Sequence, residues 1–153
     1  MDNIDTLSVP GVKGTLEVHG TNGIFYRIVH KGEVLKPVKG RWLLPAGANK
    51  TTELRQRGFF PGFTSLYANN EKVYAFGANV PMWLRAIVFI PLLLVLVNPL
   101  FGLALGVLMF FMNILIVKNP QMPLPLRTAL PIINTLAAGL ILALLSAAGT
   151  NAS

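Results

Sequence analysis

The chain has 153 residues, of which 53% are hydrophobic and only 12% charged, with a formal net charge of +7 at pH 7. Soluble domains usually carry about 25% charged residues, so an ordinary water-soluble globule is excluded for the chain as a whole. The absence of cysteine excludes disulfides, thiolate metal sites and thiol nucleophiles.

The charges are unevenly placed. All six acids and ten of the thirteen basic residues precede residue 82, and beyond it only Arg85, Lys118 and Arg127 are charged. This divides the chain into a β-rich segment, 1–81, with a net charge of +4 (ten minus six), and a lipid-adapted segment, 82–148, followed by a short tail, 149–153. The opening stretch MDNIDTLSVPG contains acids and no apolar run of the signal-peptide kind. The first segment is therefore expected to stay on the side of the membrane where it is made.

In the first segment, short β-type runs alternate with Gly, Asn and Pro, and no stretch has helical periodicity. TLEVH (15–19) alternates, placing Leu16 and Val18 on one face. IFYRIVH (24–30) is rich in β-branched and aromatic residues, and Lys31-Gly32 suits a tight turn into Glu33-Val34-Leu35. RWLLP (41–45) is expected to close at Pro45. TTELRQR (51–57) sets Thr52, Leu54 and Gln56 against Glu53, Arg55 and Arg57. TSLYANNEKVYAFG (64–77) reads as a hairpin turning at Asn69-Asn70. Six or seven such strands predict a small antiparallel β sandwich or barrel. FFPGF (59–63) is an apolar turn, expected either to fill a core or to dip toward the lipid interface with Arg55 and Arg57 beside it.

The second segment opens with 32 uncharged residues, Ala86–Val117. A straight span needs about 20 residues, so the run is too long for one helix, and Asn98-Pro99 is a turn signal within it. The pattern predicts a transmembrane helical hairpin with arms at 82–97 and 100–117; the rivals are a re-entrant hairpin and one helix kinked at Pro99. KNPQMPLPLR (118–127) is expected to be kept extended by its three prolines. A third transmembrane helix is predicted at 128–148, with Pro131 in its first turn. The excess of positive charge before residue 86, and again at Lys118 and Arg127, places the N-terminal domain and that connection on the cytoplasmic side of a plasma or inner membrane, with the tail outside.

Small residues let helices approach closely in lipid. Gly102 and Gly106 form a GxxxG, and Thr135, Gly139, Ala143 and Ala147 form a ridge on the third helix. Both are candidate packing faces, against each other or against another protein. Asn113 and Asn134 are the strongly polar residues deep in these helices, expected to bond each other or nearby backbone.

No acid–base pair, metal set, nucleophile–base arrangement or phosphate loop is recognisable, and no cofactor is implied. His19 and His30 fall in predicted strands and are expected at the surface or rim. The sequons at Asn49 and Asn151 are weak glycosylation signals. Lys36, Lys39, Arg41, Arg55, Arg57, Phe59 and Phe60 form a candidate surface for anionic lipid or a protein partner. A bilayer already offers a tethered basic domain an anionic surface, so nucleic acid is not inferred. The expected function is a non-enzymatic accessory subunit of a larger integral membrane complex, such as a transporter. The alternatives are a membrane-anchored binder of anionic lipid or another anion, and a small homo-oligomeric channel or carrier.

Overall fold

The computed structural model describes residues 3–47 and 50–150; the sequons at Asn49 and Asn151 lie outside the described residues. The chain forms two units, Met1–Ala78 and Asn79–Ser153.

The first unit consists of two four-stranded antiparallel sheets. One is a meander of β1 (Ile4–Leu7), β2 (Leu16–His19), β3 (Arg27–His30) and β4 (Glu33–Leu35). The other is a meander of β5 (Arg41–Ala46), β6 (Lys50–Arg57), β7 (Ser65–Ala68) and β8 (Glu71–Ala75). The sheets do not close into a barrel, since the strand order leaves β1, β4, β5 and β8 at edges. Alternation explains the core: Leu16, Val18 and Ile28 from the first sheet meet Trp42, Leu44, Leu54 and Leu66 from the second in one buried cluster. The Tyr26 ring lies 4.3 Å from Phe76 and 6.0 Å from Trp42, and the Tyr74 hydroxyl donates to the Asp5 carboxylate.

Three two-residue turns, Lys31-Gly32, Lys39-Gly40 and Asn69-Asn70, have positive φ at both positions, the geometry that matches strand twist in tight hairpins. β5 continues through Pro45, which pairs with Thr51 instead of closing the strand; an edge strand tolerates a residue without an N–H. β1 has no counterpart among the strands expected from the sequence. His30 is buried, not at the rim, with its Nε2 3.1 Å from the Lys13 carbonyl.

The second unit is helical. The first arm is not the continuous helix expected at 82–97. It is a short α1 (Met82–Ile87) followed by a 3₁₀ segment, Ile90–Leu96. Pro91 accounts for the break: its ring clashes with the carbonyl four residues back, that of Ile87, where α1 ends. The Asn98 side chain caps α2 (Pro99–Lys118), accepting from Leu100 N at 3.2 Å and Phe101 N at 3.0 Å. Pro99 takes the first helical position, where its missing N–H costs nothing.

The 118–127 connection is shorter than its prolines suggested. Asn119 ends α2, and after a turn over 120–123 α3 (Leu124–Thr150) begins. Its first bonds run from Leu126 and Arg127 to the Pro123 carbonyl. Pro123 and Pro125 therefore sit where helix donors have no partner to lose. Pro131 lies inside α3 rather than in its first turn. α2 and α3 are both long and apolar enough to cross a membrane, whereas Met82–Leu96 is shorter.

Candidate interaction surfaces

Period-two alternation sends Arg41 and Leu43 of β5, and Glu53, Arg55 and Arg57 of β6, to the face opposite the buried Trp42, Leu44, Thr52 and Leu54. The register sets Arg41 across from Arg55 and Leu43 across from Glu53. Like charges directly opposite repel, and Glu53 relieves this by contacting both arginines. Arg55 Nη2 donates to Glu53 Oε2 at 2.7 Å, and Arg41 Nε lies 3.0 Å from Oε1. The hydrogen bond from Arg55, with the charge of Arg41 behind it, holds the Glu53 carboxyl below the usual carboxylate range, and Glu53 in turn raises Arg55.

Arg57 is held differently. Its Nη2 donates to Asn70 Oδ1 at 2.7 Å, and its guanidinium lies 5.0 Å from the centre of the Tyr67 ring, a cation–π distance. The positive φ of Asn70 in the β7–β8 turn belongs to the residue that offers this acceptor. Two open pockets result. One of about 260 Å³ is lined by Glu53, Arg55, Arg57, Tyr67, Asn69 and Asn70. The other, about 490 Å³, is lined by Val38, Lys39, Arg41, Leu43 and Glu53. Four cations and one carboxylate thus face outward beside exposed Val38 and Leu43.

Of the residues singled out in the sequence, Lys39, Arg41, Arg55 and Arg57 line these pockets, while Lys36 is exposed but lines neither. FFPGF is divided between core and surface. Phe63 is buried, whereas Phe59 is 91% exposed with its ring edge-on to Phe60 at 5.6 Å. The Phe63 N–H bonds the Phe60 carbonyl at 3.0 Å across Pro61-Gly62, with Gly62 at φ +78°, as a type II turn requires. Glu53, Tyr67 and Asn70 were not among the expected site residues. The alternation of β6 put Glu53 beside the arginines, but the pairing with Arg41 depends on strand register.

In the helical unit, Gly102 and Gly106 face the first arm. A methyl group at Gly106 would sit 2.6 Å from the Pro91 carbonyl oxygen, and one at Gly102 would overlap the Leu94 carbonyl. On α3, Thr135 is buried and bonds the Pro131 carbonyl at 2.6 Å. Gly139 approaches Leu94, whereas Ala143 and Ala147 are exposed. Asn113 is only 1% exposed and its Nδ2 meets no acceptor, in place of the bond expected for it; Asn134 is half-buried. An apolar groove of about 500 Å³ separates Phe101, Leu105 and Leu108 of α2 from Leu142 and Leu145 of α3. Among the described residues, no group of three or more His, Asp or Glu side chains could hold a metal ion.

No family model matches this sequence, and neither a curated protein nor a solved structure shows detectable similarity to it.

Proposed function

We propose that the protein is a non-enzymatic accessory subunit of a larger integral membrane assembly. Its helical unit anchors it, and the outer face of β5–β6 grips an acidic segment of a partner protein. The observation that carries this reading is the pair Arg41 and Arg55 sharing one carboxylate, with Arg57 on the same face and exposed Val38 and Leu43 beside them. Arginine forks suit bidentate carboxylate recognition, and adjacent apolar side chains supply desolvated contact area. Gly102 and Gly106 approach the first arm of the same chain, so of the small residues on the two long helices it is Ala143, exposed on α3, that is offered for docking in the bilayer.

The first arm lies antiparallel to α2, because Leu94 meets Gly102 and Pro91 meets Gly106. Eight residues at α-helical rise and seven at the longer 3₁₀ rise give it a length of about 26 Å, against about 30 Å for α2. In this reading the arm crosses the membrane, and the β unit and the α2–α3 connection are cytoplasmic by the positive-inside rule.

The test is purification of the full chain in mild detergent with quantitative mass spectrometry. A stoichiometric partner should be retained by the wild type and lost on Arg55→Glu with Arg57→Glu. A wild type that migrates alone, or a partner indifferent to the charge reversal, overturns the proposal.

A further inference from the structure

We propose that the end of the β unit formed by the β2–β3, β4–β5 and β6–β7 connections seats on the anionic headgroup layer of a bilayer, with Phe25 and Phe59 dipping into it. Strand register brings these connections together. In the first sheet Ile4 pairs with His19, His19 with Arg27, and Ile28 with Leu35. Residues 20–26 and the exit from β4 therefore share one end. In the second sheet Arg41 pairs with Arg55, Arg57 with Ser65, and Ser65 with Ala75. The entry to β5, residues 58–64 and the exit from β8 therefore share one end as well. Two contacts make these the same end: Trp42 Nε1 donates to the Leu35 carbonyl at 3.2 Å, and Tyr74 donates to Asp5. At the opposite end Val12 bridges to Ala46.

Apolar exposure is concentrated on the first of these ends. Phe59 is 91% exposed, Phe25 82% and Val38 62%, the three highest values among the large apolar residues described in the β unit. All three stand in connections at this end, and no exposed large apolar residue stands in the described connections of the opposite end. Single exposed apolar side chains are ordinary, but several gathered together mark an interaction surface. The Phe59 loop is held at its base, where Phe63 is buried and Gln56 Nε2 donates to Thr64 Oγ1 at 3.0 Å.

Charge selects the partner. Segments 20–26, 36–40 and 58–64 contain Lys36 and Lys39 and no acid, and both lysines are exposed. Carboxylates on the adjoining strands are engaged: Asp5 accepts from Tyr74, Glu17 lies 2.9 Å from His19 Nε2, and Glu53 bridges Arg41 and Arg55. Aromatic tips beside cations suit the interface of an anionic leaflet, where the rings leave water and each nearby lysine favours contact about fivefold. The chain also brings the bilayer within reach. It leaves the β unit at this end, since β8 stops at Ala75 and α1 starts at Met82, and such a link spans at most about 25 Å. The inference rests on the proposed membrane crossing of the helical unit. It does not depend on the protein partner of β5–β6, although Val38 and Lys39 also line the pocket beside Arg41.

The test is spin labelling of the full chain, purified without partners and reconstituted in phosphatidylcholine, alone or mixed with phosphatidylglycerol. Accessibility to oxygen and to an aqueous nickel chelate is read at single sites: Phe59→Cys, Phe25→Cys and, at the opposite end, exposed Ser8→Cys. Leu108→Cys, exposed midway along α2, reports separately whether the helical unit is in lipid. In the mixed bilayer the labels at residues 59 and 25 should be open to oxygen and shielded from the chelate, the reverse of Ser8→Cys. Lys36→Gln with Lys39→Asn, where Asn tolerates the positive φ of residue 39, should lower the ratio of seated to free ends by about thirtyfold. Labels at 59 and 25 as open to the chelate as Ser8→Cys, with Leu108→Cys in lipid, overturn this proposal alone. Leu108→Cys open to the chelate overturns it together with the membrane crossing. Equal immersion in the two bilayers, or in the lysine double variant, overturns the choice of an anionic surface.

Discussion

Replacing Gly106 or Gly102 by alanine tests the packing on which the helical unit depends. The added carbon at Gly106 would lie 2.6 Å from the Pro91 carbonyl oxygen. A carbon rests no closer than about 3.3–3.6 Å to such an oxygen, so the backbones must part by about 0.7–1 Å. The obstacle is main chain, which cannot swing aside as a side chain can. Overpacking of this kind costs about 1–3 kcal/mol, and Gly102→Ala, whose methyl overlaps the Leu94 carbonyl, should cost more than Gly106→Ala. Unfolding of the full chain in mixed detergent micelles, followed by far-ultraviolet circular dichroism, gives both values. Leu103→Ala is the control: Leu103 is exposed on α2, and its loss should shift stability by about 0.5 kcal/mol or less. If both glycine variants are as stable as Leu103→Ala, the 3₁₀ segment does not pack on α2 and the antiparallel arm is wrong.

Asn98→Ala should cost about 1 kcal/mol by removing the acceptor for Leu100 and Phe101, while Asn98→Asp should retain most of that stability in the same assay. Tyr26→Phe should be neutral or stabilising in thermal unfolding, since the Tyr26 hydroxyl is buried without a hydrogen-bond partner and an unsatisfied buried group costs about 1–3 kcal/mol. Burial raises the Tyr26 phenol, and burial together with Asp5 raises Tyr74. Their contribution to stability is therefore fully present below the ordinary tyrosine value of about 10 and is lost as pH rises above it. Absorbance titration should show the Tyr26 and Tyr74 phenols ionising above the ordinary tyrosine range, together with unfolding. The chain has no cysteine, so Gln121→Cys and Val97→Cys each give a single label site; an impermeant maleimide should reach them from opposite sides of the membrane.

Much of the β unit is legible in the sequence because half-buried strands advertise themselves. Leu16 and Val18, Trp42 and Leu44, and Thr52 and Leu54 are spaced two apart and point inward, and the Asn69-Asn70 turn follows from the residues that tolerate positive φ. β1 escapes because three of its four residues are exposed, leaving no alternation to see. In the helical unit the apolar run is obvious but its punctuation is not. Pro91 looks like one more apolar residue among leucines, and only the rule about the carbonyl four residues back shows that α1 must stop at Ile87. Pro123 and Pro125 mislead in the opposite direction: three prolines in a row of ten suggest an extended link, yet two of them stand where a helix can start.

Proline and glycine together explain why a 15-residue arm, Met82–Leu96, can accompany a 20-residue helix. An α-helix of the arm's length falls short of α2 by about 7–8 Å at 1.5 Å per residue. Conversion of Ile90–Leu96 to 3₁₀ geometry raises the rise to about 2 Å per residue, recovering part of that deficit. The conversion makes the backbone thinner and its carbonyls more prominent on the side facing α2, and a Cβ at Gly102 or Gly106 would strike those carbonyls. Pro91 and the two glycines are thus complementary parts of one contact: the proline imposes the narrow helix, and the glycines make room for it. This assigns the GxxxG to the chain's own hairpin and leaves the basic face of β5–β6 as the larger surface available for recognition. Loss of a partner should therefore follow reversal of Arg55 and Arg57 while leaving the hairpin's stability unchanged, whereas Gly102→Ala should do the opposite, weakening the hairpin with the sheet face intact. A partner lost equally with both would show that the two surfaces act as one.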